Sequence, residues 1–354
     1  LSRARVALRT IWSQQSFREV FDQLRSDDYD VLHVQNFFPL WSPSVYHAAA
    51  KVGVPVVQTL RNYRLMCVNS LFFRDGHACE DCLGRTVPWP GVLHACYRHT
   101  RTASTVVAGM ITAHRLLRTW QTKVNAYVAL TAFAREKFIA GGLPAEKIMI
   151  KPNFVHPAPR IGYGGGGYAL FAGRLSSEKG IDTLLNSWTA SNSVLPLKIV
   201  GDGPESARVA AAATSTANIE YLGRKSTEEL MQLMRGAEFL VFPSECYENM
   251  PRTIIEAFAV GTPVLASKIG AGISMVEPDK TGFHFKAGDV DDLRRVAEWC
   301  SRKLDAVRAL RSQARSEYEL KYSGPTNAQA MLEIYRHAGK PSARSSGVMN
   351  RSQT

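Results

Sequence analysis

Two glutamates and two cations, set beside apolar runs, are the side chains best suited to chemistry. Glu248 and Glu256 lie in ECYENMPRTIIEAFAVGTP, residues 245–263, with seven residues between them. Arg174 and Lys179 lie in YALFAGRLSSEKG, residues 168–180. An ionised carboxylate only accepts hydrogen bonds, so a pair of them suits the vicinal hydroxyls of a sugar or ribose. A guanidinium, an ammonium and the open N–H groups of a helix start together suit a diphosphate.

The elements around these residues explain how they could meet. Glu238-Phe-Leu-Val-Phe-Pro243 reads as a buried strand, and Pro251 suits the first turn of the helix that follows. Gly261 suits that helix's C′ position, and Val264-Leu-Ala266 opens another buried strand. Glu248 then occupies a loop at a strand's carboxyl end, with Glu256 more than one turn into the helix. Residues 168–180 read as strand, tight turn and helix entry, with Ser176 or Ser177 as the cap. Leu197-Lys-Ile-Val-Gly-Asp-Gly-Pro204 reads as a strand ending in a Gly-rich turn at the same sheet edge. In an open α/β sheet, ligands bind in the crevice at that edge.

FAGRLSSEKGIDTLL at 171–185, IVGDGPE at 199–205, YLGRKSTEEL at 221–230, the 241–267 segment and TGFHF at 281–285 resemble glycosyltransferase family 4. That family consists of retaining transferases of the GT-B fold. The resemblance implies two Rossmann-like domains facing a cleft and transfer of a hexosyl unit from a nucleotide-diphosphate sugar. It implies that Arg174 and Lys179 hold the diphosphate, Glu248 touches the donor sugar and Glu256 binds the ribose. Gly173, Gly203 and the Gly223-Arg224-Lys225 turn would line the donor site, the last near the base. The backbone at Asn249, Met250 and Pro251 would approach the transferred sugar. A UDP- or GDP-linked donor, a carbohydrate or lipid-linked acceptor and a setting in polysaccharide or glycolipid assembly follow by analogy. The leaving group would be neutralised without a metal cofactor.

The chain has 354 residues, 45% of them hydrophobic, enough for two cores. No apolar run reaches the 18 residues of a membrane span, and LSRARVALRTIWSQQ lacks the h-region of a signal peptide. We therefore expect a cytoplasmic protein. The net charge of +12 favours anionic partners, including the inner face of an anionic membrane. No nucleic-acid motif accompanies that charge.

Residues 1–157 read as an acceptor-side Rossmann-like domain. Its helices fall at 16–25, Ser44–Val52, 104–120 and Ala132–Ala140. Its strands are Val31–Gln35, Val54–Leu60, Val124–Leu130 and Ile148–Pro152. A family member's first domain opens with a strand, a Gly-rich loop and a helix; none precedes Val31, so the domain reads as incomplete at its N-terminus. Residues 158–167 read as a Gly-rich linker free to hinge. Residues 168–324 form the donor domain, 325–338 a helix crossing back, and 339–354 a disordered tail.

On the acceptor side the candidates are His33, Arg61 and Asn62. Family members carrying the NYRL segment have His where Arg61 stands, and an Arg cannot shuttle a proton. Cys67, Cys79, Cys82 and Cys96 fall in an insertion at about 62–100. Cys79-Glu-Asp-Cys82 has the spacing of a zinc knuckle, with the outer two set 11 and 13 residues away. A structural zinc and four reduced, partly buried thiols are the two readings. Two DxD matches, Asp28-Tyr-Asp30 and Asp289-Val-Asp291, read as surface caps rather than metal ligands. The competing functions are a nucleotide-sugar-binding protein without turnover and a GT-B-like epimerase.

Overall fold

The computed structural model describes residues 3–38, 41–191 and 194–339. In the first half lie β1 (Leu32–Val34), β2 (Val56–Thr59), the short hairpin β3 (Phe73–Arg74) and β4 (His77–Ala78), then β5 (Ala126–Ala129) and β6 (Ile148–Ile150). β1, β2, β5 and β6 pair in that order, all parallel. Every residue of β2 and β5 is buried, as a sheet covered on both faces requires. Helices Ser44–Val52 and Ala132–Ala140 fall where the sequence places them, the second capped by Thr131 accepting from Ala134 N.

Two elements differ from expectation. The long apolar helix is Arg101–Leu116; Arg118, at φ 52°, breaks it before a short turn at Thr119–Thr122. The basic start, to which the sequence assigns no element, forms the helix Arg3–Ile11 packed along Arg101–Leu116. A Cβ on Gly109 would lie 3.4 Å from Ile11 Cδ1, an ordinary contact between the two helices.

The second half carries β7 (Ala169–Ala172), β8 (Leu197–Val200), β9 (Ile219–Gly223), β10 (Phe239–Phe242), β11 (Val264–Ser267) and β12 (Gly282–Phe285). Their order is β12-β11-β10-β7-β8-β9, all parallel. This is a doubly wound α/β sheet whose chain order reverses between β7 and β10. The reversal opens a crevice at the carboxyl ends of those two strands. The helix Gly324–Gly339 then returns to the first sheet, where Ile334 and Ala338 pack with Val57, Ala126 and Val128. Beyond Gly339, the tail read as disordered lies outside the described residues.

The glycines expected to hinge are tied down instead. Gly165 N and Gly167 N donate to Glu238 Oε1 at 3.0 and 3.2 Å, and Gly164 N and Gly166 N to the carbonyls of Arg235 and Gly236. A Cβ on Gly166 would lie 2.4 Å from Tyr168 Cε1 and 2.7 Å from the Gly236 carbonyl, so this glycine admits close packing. Where the chain crosses between halves, Val155 N donates to Tyr322 O at 3.1 Å, setting the two crossings side by side.

Candidate functional site

The crevice is lined first by the turn after β7. Gly173 N donates to Val200 O at 3.0 Å, and Leu175 N to Asp202 O at 2.9 Å. A Cβ on Gly201 would fall 1.8 Å from Gly173 O, and one on Gly203 2.3 Å from Leu175 O. These glycines let the turns after β7 and β8 nest. The N–H of Gly203 is already taken by Asp202 Oδ1 at 2.7 Å and Ser206 Oγ at 2.9 Å. Gly173 and Gly203 thus provide space rather than donors.

The expected helix entry is different in kind. Ser177–Lys179 form a 3₁₀ turn, Gly180 is left-handed at φ 69°, and the α-helix begins at Ile181. Neither Ser176 nor Ser177 caps it; Ser176 Oγ donates to Glu178 Oε1 at 2.7 Å. The neighbouring strand end, at the start of the loop after β10, packs closely on this turn: a Cβ on Gly180 would sit 2.0 Å from Pro243 O, so only glycine fits there.

That loop is stitched to the 3₁₀ turn. Glu245 N donates to Glu178 O at 3.0 Å, Ser244 Oγ to the same carbonyl at 3.2 Å, and Ser267 Oγ to Ser244 O at 2.6 Å. Glu248 accepts from Lys179 Nζ and, at 3.2 Å, from Ser244 Oγ. Burial works against the charge of Lys179, but the charge and hydrogen bond of Glu248 outweigh it and raise the ammonium above its ordinary value. Arg174, two residues past β7, is exposed and has no side-chain partner among the described residues.

Glu256 lies on the helix Arg252–Ala259, whose N-cap is Pro251 and which has no side-chain cap. Pro251 thus stands one position before the first turn, and the leading N–H groups have no cap to satisfy them. Gly261, at φ 78°, closes the other end as expected; Gly261 N donates to Phe258 O and Thr262 N to Ala257 O, a Schellman pair. Glu256 is 8% exposed, and its nearest cation is Arg252, Nη2 to Oε1 3.5 Å. Burial raises its carboxyl above the ordinary value, with Arg252 opposing.

Asn249 and Met250 reach across to the first half. Asn249 Nδ2 donates to Leu60 O at 2.5 Å, Thr131 Oγ1 to Asn249 O at 3.1 Å, and Asn153 N contacts Met250 Sδ at 3.0 Å. Arg61 Nε donates to Gln35 Oε1 at 2.9 Å, and Asn62 Oδ1 accepts from Arg64 N at 3.0 Å. Between the halves lies a cavity of about 290 Å³, lined in part by Arg61, Asn62, Leu71, Asn153, Glu248 and Arg252. A larger apolar groove of about 730 Å³, along Val87, Trp89, Leu93 and Leu116, has Arg101 as its sole ionisable lining residue.

His33 has both ring nitrogens engaged. Its Nδ1 is 2.7 Å from Tyr335 Oη, and its Nε2 lies 2.8 Å from Thr59 Oγ1 and 2.9 Å from Gln35 Nε2. The Gln35 amide nitrogen can only donate, so His33 Nε2 accepts and Nδ1–H points to Tyr335. Burial, then Lys151 and Arg61, lower its pKa, keeping the ring neutral. His33 fastens the returning helix to β1. His114 is likewise structural, between Ile11 O and Thr119 Oγ1, with burial pushing it down to about 4.

In the turn after β9, Gly223 has φ 63°, Arg224 is exposed, and Lys225 lies 3.5 Å from Glu229. Asp289 caps its helix, accepting from Asp292 N at 3.0 Å, whereas Asp28 and Asp30 cap nothing and lie in the loop before β1. Cys246 is buried, and burial, then the charge of Glu248, push its thiol up to about 12, which rules it out as a nucleophile at neutral pH. Cys67, Cys79, Cys82 and Cys96 are free and line one small cavity. Among the described residues, no three His, Cys, Asp or Glu side chains are arranged to hold a metal ion.

The structure therefore brings Lys179 and Glu248 into contact and sets Arg174 on the same sheet edge. Among the described residues, no hydrogen bond or ion pair joins Arg174 or Glu256 to that pair. Ser244, Thr131, Asn153 and Arg252 were missed. Ser244, Thr131 and Asn153 each lie just past a strand's carboxyl end, the one signal that could have found them.

Residues 162–317 match the family described as glycosyl transferases group 1, and residues 3–153 match the glycosyl transferase 4-like domain. The chain belongs to this glycosyltransferase family. It is 25% identical over 171 residues to an uncharacterized glycosyltransferase of Methanocaldococcus jannaschii, covering 48% of this chain and 47% of the relative. It is 25% identical over 279 residues to a GDP-mannose-dependent alpha-mannosyltransferase of Mycobacterium tuberculosis, covering 76% of this chain and 63% of the relative. The chain thus spans less than two-thirds of either relative's length. HepE from Anabaena, solved with UDP, superimposes with a TM-score of 0.67 at 18% identity, over 90% of this chain and 81% of that one. Sucrose-phosphate synthase from Thermosynechococcus elongatus gives 0.69 at 16% identity, over 95% and 79%. These likenesses establish the GT-B fold: two Rossmann-like halves facing a cleft. No helix among the described residues is long and apolar enough to cross a membrane.

Proposed function

We propose that this glycosyltransferase-family chain transfers a hexosyl unit from a UDP- or GDP-linked sugar to an acceptor hydroxyl, with retention of anomeric configuration. The observation that carries the reading is the contact between Lys179 and Glu248 at the point where the sheet reverses, beside the exposed Arg174. A diphosphate arriving there meets Arg174, Lys179 and the uncapped start of helix Arg252–Ala259. Lys179 then exchanges Glu248 for phosphate oxygens, which frees the carboxylate to accept from the donor sugar's hydroxyls. Departure of the diphosphate leaves an oxocarbenium-like centre, attacked on the same face by an acceptor hydroxyl from the cavity between the halves. Charge stabilisation of the leaving group is the main catalytic term. The reading needs no catalytic metal, since this chain's own cations neutralise the diphosphate.

Closure of the halves would exclude water. Because the glycines at 164–167 are pinned, the pivot lies at the paired crossings near Val155 and Tyr322. The acceptor is a carbohydrate or lipid-linked saccharide of polysaccharide or glycolipid assembly. The net charge of +12 supports work in the cytoplasm against an anionic membrane face.

Calorimetry with UDP and GDP, followed by a donor-hydrolysis assay, tests the reading: binding with slow hydrolysis supports it, and binding of neither nucleotide sinks it. Binding with no turnover on any donor–acceptor pair would favour the non-catalytic binder. Glu256→Gln is expected to weaken nucleotide binding about 10- to 100-fold, the worth of a hydrogen bond to a charged group. Ribose hydroxyls need the ionised acceptor, and burial raises Glu256. Affinity in the wild type should therefore fall with acidification, beginning at a higher pH than an ordinary carboxylate would give. A flat pH profile, or an unweakened variant, removes Glu256 from the ribose.

A further inference from the structure

We propose that Cys67, Cys79, Cys82 and Cys96 form a tetrathiolate site for one zinc-class divalent cation, which fastens the 62–100 insertion against the acceptor side of the cleft. All four side chains line a single cavity of about 10 Å³. Four thiolates with bonds of about 2.3 Å are the usual set of a closed structural zinc site. The sequence distance from Cys67 to Cys96 is thus closed by the fold itself.

The backbone around the cavity is already set for this. After Cys67 the chain turns tightly, with Ser70 N donating to Cys67 O at 3.0 Å and Leu71 N to Asn69 Oδ1 at 2.9 Å, and the Cys67 thiol lies 2.9 Å from that same Oδ1. Cys79 N donates to Phe72 O at 2.8 Å, holding the CxxC turn against the Cys67 turn. Cys96 N donates to Gly91 O at 2.9 Å, which brings the fourth cysteine to the same place. At Gly91 a Cβ would fall 2.5 Å from Val68 Cγ2 and 3.4 Å from Cys82 Sγ, so only glycine fits beside the cluster. Arg74 also lines the cavity, its guanidinium paired with Asp81 at 2.9 Å and Asp75 at 3.3 Å.

The insertion needs such a tie. Its only strands are two residues each, and Ser70, Phe72, Asp75, Ala95, Arg98 and His99 all have positive φ. Each such residue costs free energy that a small, strand-poor unit offsets with a cross-link or metal. The sulfurs do not yet converge on one point. Binding turns them inward as each thiol gives its proton to solvent and each sulfur bonds the cation. The gain reaches the cleft, because Ser70 and Leu71 line it and Phe72 packs on Tyr247, ring centroids 6.0 Å apart, beside Glu248.

The test uses the full chain purified without chelators. Elemental analysis should give one zinc per chain, and exchange for Co²⁺ should give the visible bands of a tetrahedral cobalt thiolate. Cys79→Ser should lose the metal, while Cys300→Ser, outside the cluster, keeps it. Should Cys79→Ser fail to fold, the wild-type cobalt spectrum decides alone. A folded, metal-free wild type that shows no such bands with added Co²⁺ overturns the site. So does a cluster found joined by disulfides in the purified protein.

Discussion

Arg174→Ala is expected to lower kcat about 10²- to 10³-fold, the usual loss when one preorganised donor to a developing charge is removed. The melting temperature should not change, because Arg174 is exposed and has no side-chain partner among the described residues. That separation makes it the cleanest probe of the diphosphate cradle. Lys179→Ala should lose a similar factor. Its fold should survive, since Glu248 keeps Ser244 Oγ at 3.2 Å and the loop keeps the Glu245 N to Glu178 O bond at 3.0 Å. Steady-state kinetics on a responsive donor would check both. Wild-type turnover by either variant would detach the diphosphate from this turn and leave the proposed chemistry without its main term.

The largest stability effect should come from a residue with no part in chemistry. Glu238 is fully buried and accepts from Gly165 N, Gly167 N and two nitrogens of Arg308 at 2.9 and 2.8 Å. Glu238→Ala leaves the two glycine donors unpaired, at a cost of about 1–3 kcal/mol each, whereas the Arg308 guanidinium, partly exposed, is taken up by solvent. Burial raises the Glu238 carboxyl, but Arg308 and the glycine N–H groups outweigh it, so its pKa is lowered. The folded value lies below the unfolded one. Its stabilisation is therefore complete above the ordinary carboxylate range and is lost as pH falls through the folded value. Urea melts should show a large deficit for Glu238→Ala at neutral pH that shrinks in acid. An equal deficit at both pH values would show that lost packing, not charge, sets the effect.

The fold was legible in the sequence wherever a local pattern sufficed. Phe239–Phe242 read as a buried strand because both faces are apolar. The helix Arg252–Ala259 was legible because proline and glycine mark its two ends. The Lys179–Glu248 region was legible through the spacing of its motifs along a doubly wound sheet. What stayed hidden depended on contacts between distant segments. Gly180 looked like part of a helix entry, but it is a left-handed residue packed so closely on Pro243 O, 63 residues further along, that no side chain fits. The glycines at 164–167 looked like a hinge until the buried carboxylate of Glu238 was seen to hold them. His33 read as an acceptor-side candidate, and only the structure shows Tyr335, from the last helix, against its Nδ1. Composition and spacing determine which segments become strands, helices and turns, because those choices are made by the covalent neighbours of each residue. Which polar atoms remain free for a substrate was decided only by tertiary structure, because a hydrogen-bond partner is set by proximity in space, which sequence distance does not encode.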